Sequence, residues 1–238
     1  MPHSIEFSAG PKSKHIDALS IGLFGLTVGA ITLGLHQLHL FGSEDEFDVL
    51  AVWIMALLFG GIVQIIAGFV EVRYDQQLGG TALTMYGFLW VGISLLGILQ
   101  TVGQKGPHPY VEIPLLASFA CFSAVMVYLT GHKTLVLCLL HMIITVTLSF
   151  VVLSKFGVVG ETLPGIGHLL IGTLAFIHAM GTLVNEFTTE NRIPLGRPPL
   201  SRQKGGEATV ARAQTAPPNR VHGMIDSMGL PDHRKEQK

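Results

Sequence analysis

The stretch Gly60-Gly61-Ile62-Val63-Gln64-Ile65-Ile66-Ala67-Gly68-Phe69-Val70-Glu71 decides the fold. It is an apolar run that carries one amide and ends on one carboxylate. On a helix, Gly60, Gln64, Ala67 and Glu71 fall on one face by the i, i+4, i+7, i+11 spacing. Small and polar groups therefore line a single stripe. Such a stripe suits close helix packing or a solute path, and lipid tolerates it poorly.

The composition around this stretch points the same way. Of 238 residues 49% are apolar and 13% charged, against about 25% charged in ordinary soluble domains, and the mean hydropathy is +0.51. The chain reads as an integral membrane protein. Its charges gather in the first 17 residues, in short connectors and in the last 50, so the net charge of -1 says little about partners.

A hydrocarbon core about 30 Å thick requires roughly 20 apolar residues per helical span. Six segments meet that length, at 18–40, 50–72, 79–101, 113–130, 134–154 and 163–187. The connector 103–112, with Pro107 and Pro109, is placed outside the lipid. Residues 1–17 are polar, and the apolar run after them is too long for a signal-peptide core and offers no clear cleavage site. With the N-terminus in the cytoplasm, Lys12, Lys14, Arg73, Lys133, Arg192 and Arg197 fall inside, against Lys105 and Lys155 outside. This is the bias of the positive-inside rule. Both termini are then cytoplasmic, and the acidic connector from Ser43 to Asp48 faces out. The expected organisation is a cytoplasmic segment at 1–17, a membrane domain at 18–196 and a disordered cytoplasmic tail at 197–238, whose Gly, Pro, Gln, Arg and Glu show no helical period.

Cys121 and Cys138 fall within spans without metal-ligand spacing and read as small packing residues. The chain lacks a phosphate-binding glycine loop, an H-E-x-x-H cluster and a G-x-S-x-G elbow, and it has no nucleic-acid patch. It reads as no enzyme, without cofactor or metal.

The motifs are more specific than the composition. The run Phe59–Glu71, followed by Gly79-Gly80-Thr81-Ala82-Leu83-Thr84-Met85-Tyr86-Gly87-Phe88-Leu89-Trp90, resembles the acetate uptake transporter family, also called the GPR1/FUN34/YaaH family, in its GG-x-x-Q-x-x-AG-x-x-E and G-x-TA-x-T-x-YG-x-x-W elements. Asn185-Glu186 and then Ile193-Pro194-Leu195-Gly196 are similar to that family's NE and LPxG ending. One element departs. Where the family opens its first span with N-P-x-P-L-G-L, this chain reads His15-Ile16-Asp17-Ala18-Leu19-Ser20-Ile21, which bears on substrate identity.

The resemblance implies an all-α polytopic protein, six transmembrane helices around a narrow path in each protomer of a homohexamer. It implies transport of acetate and related short monocarboxylates or succinate, by proton symport or channel-like conduction. It also implies a hydrophobic constriction, whose members map by position onto Phe24, Tyr86 and, in the fifth span, Met142, with Leu140 or Ile143 as alternatives. Gly60, Gly61, Gly68, Glu71, Gly87, Trp90, Asn185 and Glu186 carry the family motifs.

The residues read on their own agree in outline. Ser20, Phe24 and Thr27 share a face of the first helix, and Thr134, Cys138, His141 and Thr145 share a face of the fifth. Hydroxyls beside apolar walls suit a small carboxylic acid, whose head needs hydrogen bonds and whose methyl needs none. Ser20, Thr27, Gln64, Thr84, His141 and Thr145 are the candidate polar contacts. Each has a plainer reading: Phe24 and Met142 as core or lipid-facing residues, Gln64 as an interhelical bond, and Glu71 and Glu186 as interfacial anchors or partners of Arg73 or Arg192. His141 is the one titratable group placed deep in a span among polar neighbours, as a core group or a proton relay. His168 and His178 have no evident partner. Two other functions stay open, a conduit for a different small solute such as ammonia and a membrane sensor or scaffold that does not transport.

Overall fold

The computed structural model describes residues 18–41, 45–103, 108–188 and 191–200. The segment before Ala18 and the tail beyond Leu200 lie outside the described residues, and so do the expectations placed on them. The six spans are α1 (Ala18–Gln37), α2 (Glu46–Arg73), α3 (Gln77–Val102), α4 (Ile113–Thr130), α5 (Leu135–Lys155) and α6 (Thr162–Thr188). All six are long and apolar enough to cross a bilayer, and the described residues contain no strand. This is an all-helical integral membrane protein. The expected spans match these helices to within a few residues, because span length and hydropathy are set by the thickness of the bilayer.

The helices run alternately up and down. α1 packs against α2 and α6, α2 against α3, α4 against α5, and α5 against α6, while α3 and α4 touch sparsely. The close approaches are made at glycines. A Cβ at Gly25 would lie 2.5 Å from the Phe59 carbonyl, one at Gly29 would lie 3.1 Å from Gly60 Cα, and one at Gly87 would lie 3.0 Å from the Gly61 carbonyl. Backbones that approach this closely supply the dispersion contact that replaces the hydrophobic effect inside a bilayer. The α3–α4 side is instead bridged by rings, with Tyr86 5.4 Å from Phe122 and 6.3 Å from Phe119 between centroids. Tight contacts on one side and bulky ones on the other leave space along the bundle axis.

Two local features shape that space. Residues Ala56–Val63 of α2 are π-helical, and the widened turns fall where α2 is squeezed between Gly29 and Trp90. π turns recur at functional positions, and sequence periodicity does not reveal this one. After α6 the chain turns back: the Asn185 amide donates to the Ile193 carbonyl at 2.8 Å and accepts from its N–H at 2.9 Å. The returning segment accepts from Val136 N–H through Leu195 and donates from Leu200 N–H to the Gly131 carbonyl. The strap therefore closes over one end of α4 and α5.

Candidate functional site

Most hydroxyls in these spans are satisfied locally. Thr27, Thr130, Thr145 and Thr182 each donate to the carbonyl four residues back, at 2.6–2.9 Å. This is the ordinary way a helix in lipid hides a hydroxyl, and it takes the Thr27 and Thr145 protons out of reach of a solute. A different set of atoms has no hydrogen-bond partner among the described residues: both amide atoms of Gln64, Thr84 Oγ1, Tyr86 Oη and Ser94 Oγ, all buried and all on α2 or α3. Gln64 is 0% exposed. An unsatisfied buried polar group costs about 1–3 kcal/mol, which sets these atoms apart from the hydroxyls satisfied on their own helices.

Gln64 and Tyr86 border a cavity of about 530 Å³ that opens at the end where α1 begins and α6 ends, between Asp75, Lys133 and Leu195. We call it the proximal vestibule. Leu19, Leu23, Leu26, Leu140 and Ile144 form much of its wall, with His141 and His178 set among them. Glu71, 6% exposed, sits on the same wall and accepts from the Leu19 N–H at 3.0 Å through Oε1. A carboxylate on the opening turn of α1 satisfies a donor that no helix can satisfy internally.

A second cavity of about 380 Å³ opens at the opposite end. This distal vestibule is more polar. Its wall includes Gln37, Trp53, Gln100, Glu112, Lys155 and His168. Lys155 Nζ lies 2.7 Å from Glu112 Oε2, while Gln100 donates to Oε1 at 3.1 Å. His168 Nδ1 lies 2.8 Å from Gln37 Oε1.

Between the two lies a void of about 30 Å³, room for about one water molecule. It shares Leu26, Tyr86 and Ile144 with the proximal vestibule, and Ile93, Leu148 and His168 with the distal one; Leu89, Trp90, Thr147 and Ile171 complete it. Vestibule, pinch and vestibule adjoin through these shared residues, and the pinch is a mostly apolar neck between the two larger cavities. Gly60 makes room for part of that neck, since a Cβ there would lie 2.8 Å from the Trp90 ring.

The structure brings together only some of the residues singled out in the sequence. Tyr86 and Trp90 are at the pinch, and Gln64, Glu71 and His141 line the proximal vestibule. Phe24 and Met142, each 43% exposed, point out of the bundle, and neither lines either vestibule or the pinch. On α1 the inward positions are Leu23 and Leu26, and on α5 they are Leu140, His141 and Ile144. Ile143 is partly buried against the core. Ser20 and Thr27 are buried but off the path, and Thr145 is spent on its own helix. Thr84 faces α2, where a Cβ at Gly68 would collide with its hydroxyl. Gly61, Gly68 and Gly87 pack α2 on α3, Asn185 ties the strap and Glu186 is exposed at the end of α6.

Several path residues carried little signal. His168 and His178 are buried at 6% and 3% exposure, so His141 is not the only histidine deep in the bundle. The Gln37 contact of His168 is 131 residues away in sequence. Glu112 is a buried carboxylate and not a loop residue, and its pairing with Lys155 across α4 and α5 needs the fold to be seen.

Comparison with known proteins agrees with this architecture. The chain is 27% identical over 189 residues to the succinate-acetate/proton symporter SatP of Escherichia coli K12, covering 77% of this chain and 97% of that one. It is 26% identical over 162 residues to the ammonia transport outward protein 2 of Saccharomyces cerevisiae, covering 65% of this chain and 56% of the yeast protein. A solved structure of the bacterial acetate channel SatP superposes with a TM-score of 0.69 at 25% identity, covering 77% of this chain and all of that one. The model of the GPR1/FUN34/yaaH family matches residues 3–196, and the chain belongs to that family.

Proposed function

We propose that this protein is a conduit for acetate and related short carboxylic acids, succinate included, which pass along the axis of each protomer from one vestibule to the other. The observation that carries this reading is the unsatisfied amide of Gln64 with the unsatisfied hydroxyl of Tyr86, on an otherwise aliphatic wall that leads into the pinch. The pair can donate to and accept from a carboxyl group while Leu26 and Ile144 meet its alkyl part. The names of the bacterial relatives support the substrate class.

Magnitudes decide which form crosses the neck. A bare carboxylate taken out of water without a counter-charge costs tens of kcal/mol in the Born limit, whereas a neutral polar group costs roughly 2–7 kcal/mol. No cation lines the pinch among the described residues. The protonated acid is the form that passes, and each molecule carries a proton with it. Neutral ammonia satisfies the same electrostatic condition, and the yeast relative's name favours keeping it as a second solute.

In this reading the proximal end, which carries Arg73, Lys133, Arg192 and Arg197, faces the cytoplasm of a cell's plasma membrane, and the distal end with Lys155 faces out. The outward apolar residues, Phe24 and Met142 among them, meet lipid or neighbouring protomers of a homohexamer. Labelled acetate and labelled methylammonium uptake into proteoliposomes test the reading. Saturable acetate uptake above that of protein-free liposomes is expected, and uptake equal to theirs would refute it.

A further inference from the structure

The mechanism above uses Gln64 and Tyr86 but leaves three buried histidines without a task. Their hydrogen bonds separate them into two kinds. His178 is saturated. Thr182 Oγ1 lies 3.2 Å from its Nδ1, and since that hydroxyl already donates to the His178 carbonyl at 2.9 Å, it must accept from Nδ1–H. Thr134 Oγ1 lies 3.3 Å from Nε2 and accepts from Leu137 N–H at 3.2 Å, which leaves its own proton to donate to Nε2. Both ring nitrogens are occupied, and His178 joins α5 to α6.

His141 and His168 are built differently. His141 Nδ1 lies 2.8 Å from the Leu137 carbonyl. A carbonyl can only accept, so Nδ1 carries the proton and Nε2 of the neutral ring is a lone pair. His168 is held from another helix, with Gln37 Oε1 2.8 Å from its Nδ1; an amide oxygen accepts, so Nδ1 carries the proton here too. Neither Nε2 has a hydrogen-bond partner among the described residues. The two rings lie on either side of the neck, His141 5.7 Å from Tyr86 on the proximal wall and His168 6.0 Å from Trp90 on the distal one.

We propose that His141 and His168 are paired hydrogen-bond-accepting stations flanking the neck, and that they recognise the acid by the O–H it donates. The protein then admits the protonated acid and turns back its anion. The inference rests on the reading that short carboxylic acids use this path. A protonated acid donates its O–H to Nε2 while its carbonyl oxygen takes a bond from a donor such as the Tyr86 hydroxyl. A carboxylate offers only lone pairs to a lone pair and is repelled. The proton stays on the acid throughout, so the neck needs no relay across it.

The charged neighbours fit this use. The groups that share the proximal vestibule with His141 are Glu71, Asp75, Lys133 and His178; the distal vestibule around His168 carries His36, Glu46, Glu112, Glu161 and Lys155. Lys155 is tied to Glu112, so it offers no bare cation to an anion there.

Stopped-flow influx into proteoliposomes, with protein-free liposomes subtracted, tests the proposal with acetate and with fluoroacetate, a stronger acid of similar size. For the wild type at one pH, the ratio of the two fluxes should follow the ratio of their protonated fractions. His141→Leu or His168→Leu should lower acetate flux about tenfold, the cost of one unmatched hydrogen bond in a dry site. His141→Gln, which keeps an acceptor, should recover most of it, with oligomer size and thermal midpoint confirming that each variant folds. Flux that follows total acid, a leucine variant at wild-type flux, or a glutamine variant as impaired as leucine would overturn the proposal while leaving transport intact. Wild-type liposomes no more permeable than protein-free ones would overturn the transport reading and this proposal with it.

Discussion

Replacing Gln64 by Leu separates function from stability in a way that few other substitutions can. The side chain is 0% exposed and neither amide atom has a partner among the described residues. At about 1–3 kcal/mol for each buried unsatisfied group, an amide with two such groups weakens the fold by several kcal/mol. Leu is close to Gln in volume and has nothing to satisfy. After allowing for its different shape, we expect Gln64→Leu to stabilise the protein by roughly 1–3 kcal/mol, a rise in thermal midpoint on the order of 5 °C for a chain of this size. Flux should move the other way. Losing one neutral hydrogen bond to a solute in the neck raises the barrier by about 1–1.5 kcal/mol, roughly a fivefold to tenfold fall in rate. Tryptophan fluorescence on heating in detergent and acetate influx in proteoliposomes measure the two quantities on the same preparation. A destabilised variant with unchanged flux would show that Gln64 is a structural residue and that the reasoning from unsatisfied groups fails here.

Further outcomes follow from the neck and its supports. Gly60→Ala places a Cβ about 2.8 Å from the Trp90 ring; the ring must move into the neck, with a cost of about 1–3 kcal/mol and a loss of acetate flux measurable in the same assay. Leu26→Ala should widen the neck and admit larger acids, whereas Phe24→Ala, on the outer surface, should leave size selectivity unchanged; a butyrate-to-acetate flux ratio that rises for Phe24→Ala alone would contradict this placement. Lys155→Met leaves the Glu112 carboxylate without its cation. Because the lysine side chain is 27% exposed, we expect a loss of about 1–3 kcal/mol, less than for a fully buried pair, and the double variant Lys155→Met/Glu112→Gln should recover most of it in thermal unfolding.

What was legible in the sequence was legible for physical reasons. Span lengths follow from bilayer thickness, so α1 to α6 could be bounded from hydropathy. The stripe Gly60, Gln64, Ala67 and Glu71 lies on the buried face of α2, because small and polar residues have only one good place to go in lipid. The phase of α1 and α5 was hidden. In a membrane both the core and the surroundings are apolar, and hydrophobic periodicity cannot tell Leu23 and Leu26, which face in, from Phe24, which faces out. The same holds for Leu140 and Ile144 against Met142. Polar residues in α1 and α5 misled for a second reason: Thr27 and Thr145 can satisfy themselves on their own helix, and a sequence does not say whether they do. The partners of His168 and Glu112 come from other spans, so only the assembled bundle reveals them.

The central claim is that the path through the middle of the protomer carries the acid, and occluding its neck tests that most directly. Ile144→Trp fills the void between Leu26 and Tyr86, where the proximal vestibule meets the pinch, while leaving the distal vestibule and the outer surface as they are. Acetate influx should be well above the protein-free background for the wild type and fall to that background for Ile144→Trp at equal reconstitution and oligomer size. Influx through the tryptophan variant equal to the wild type would mean that acetate takes another route.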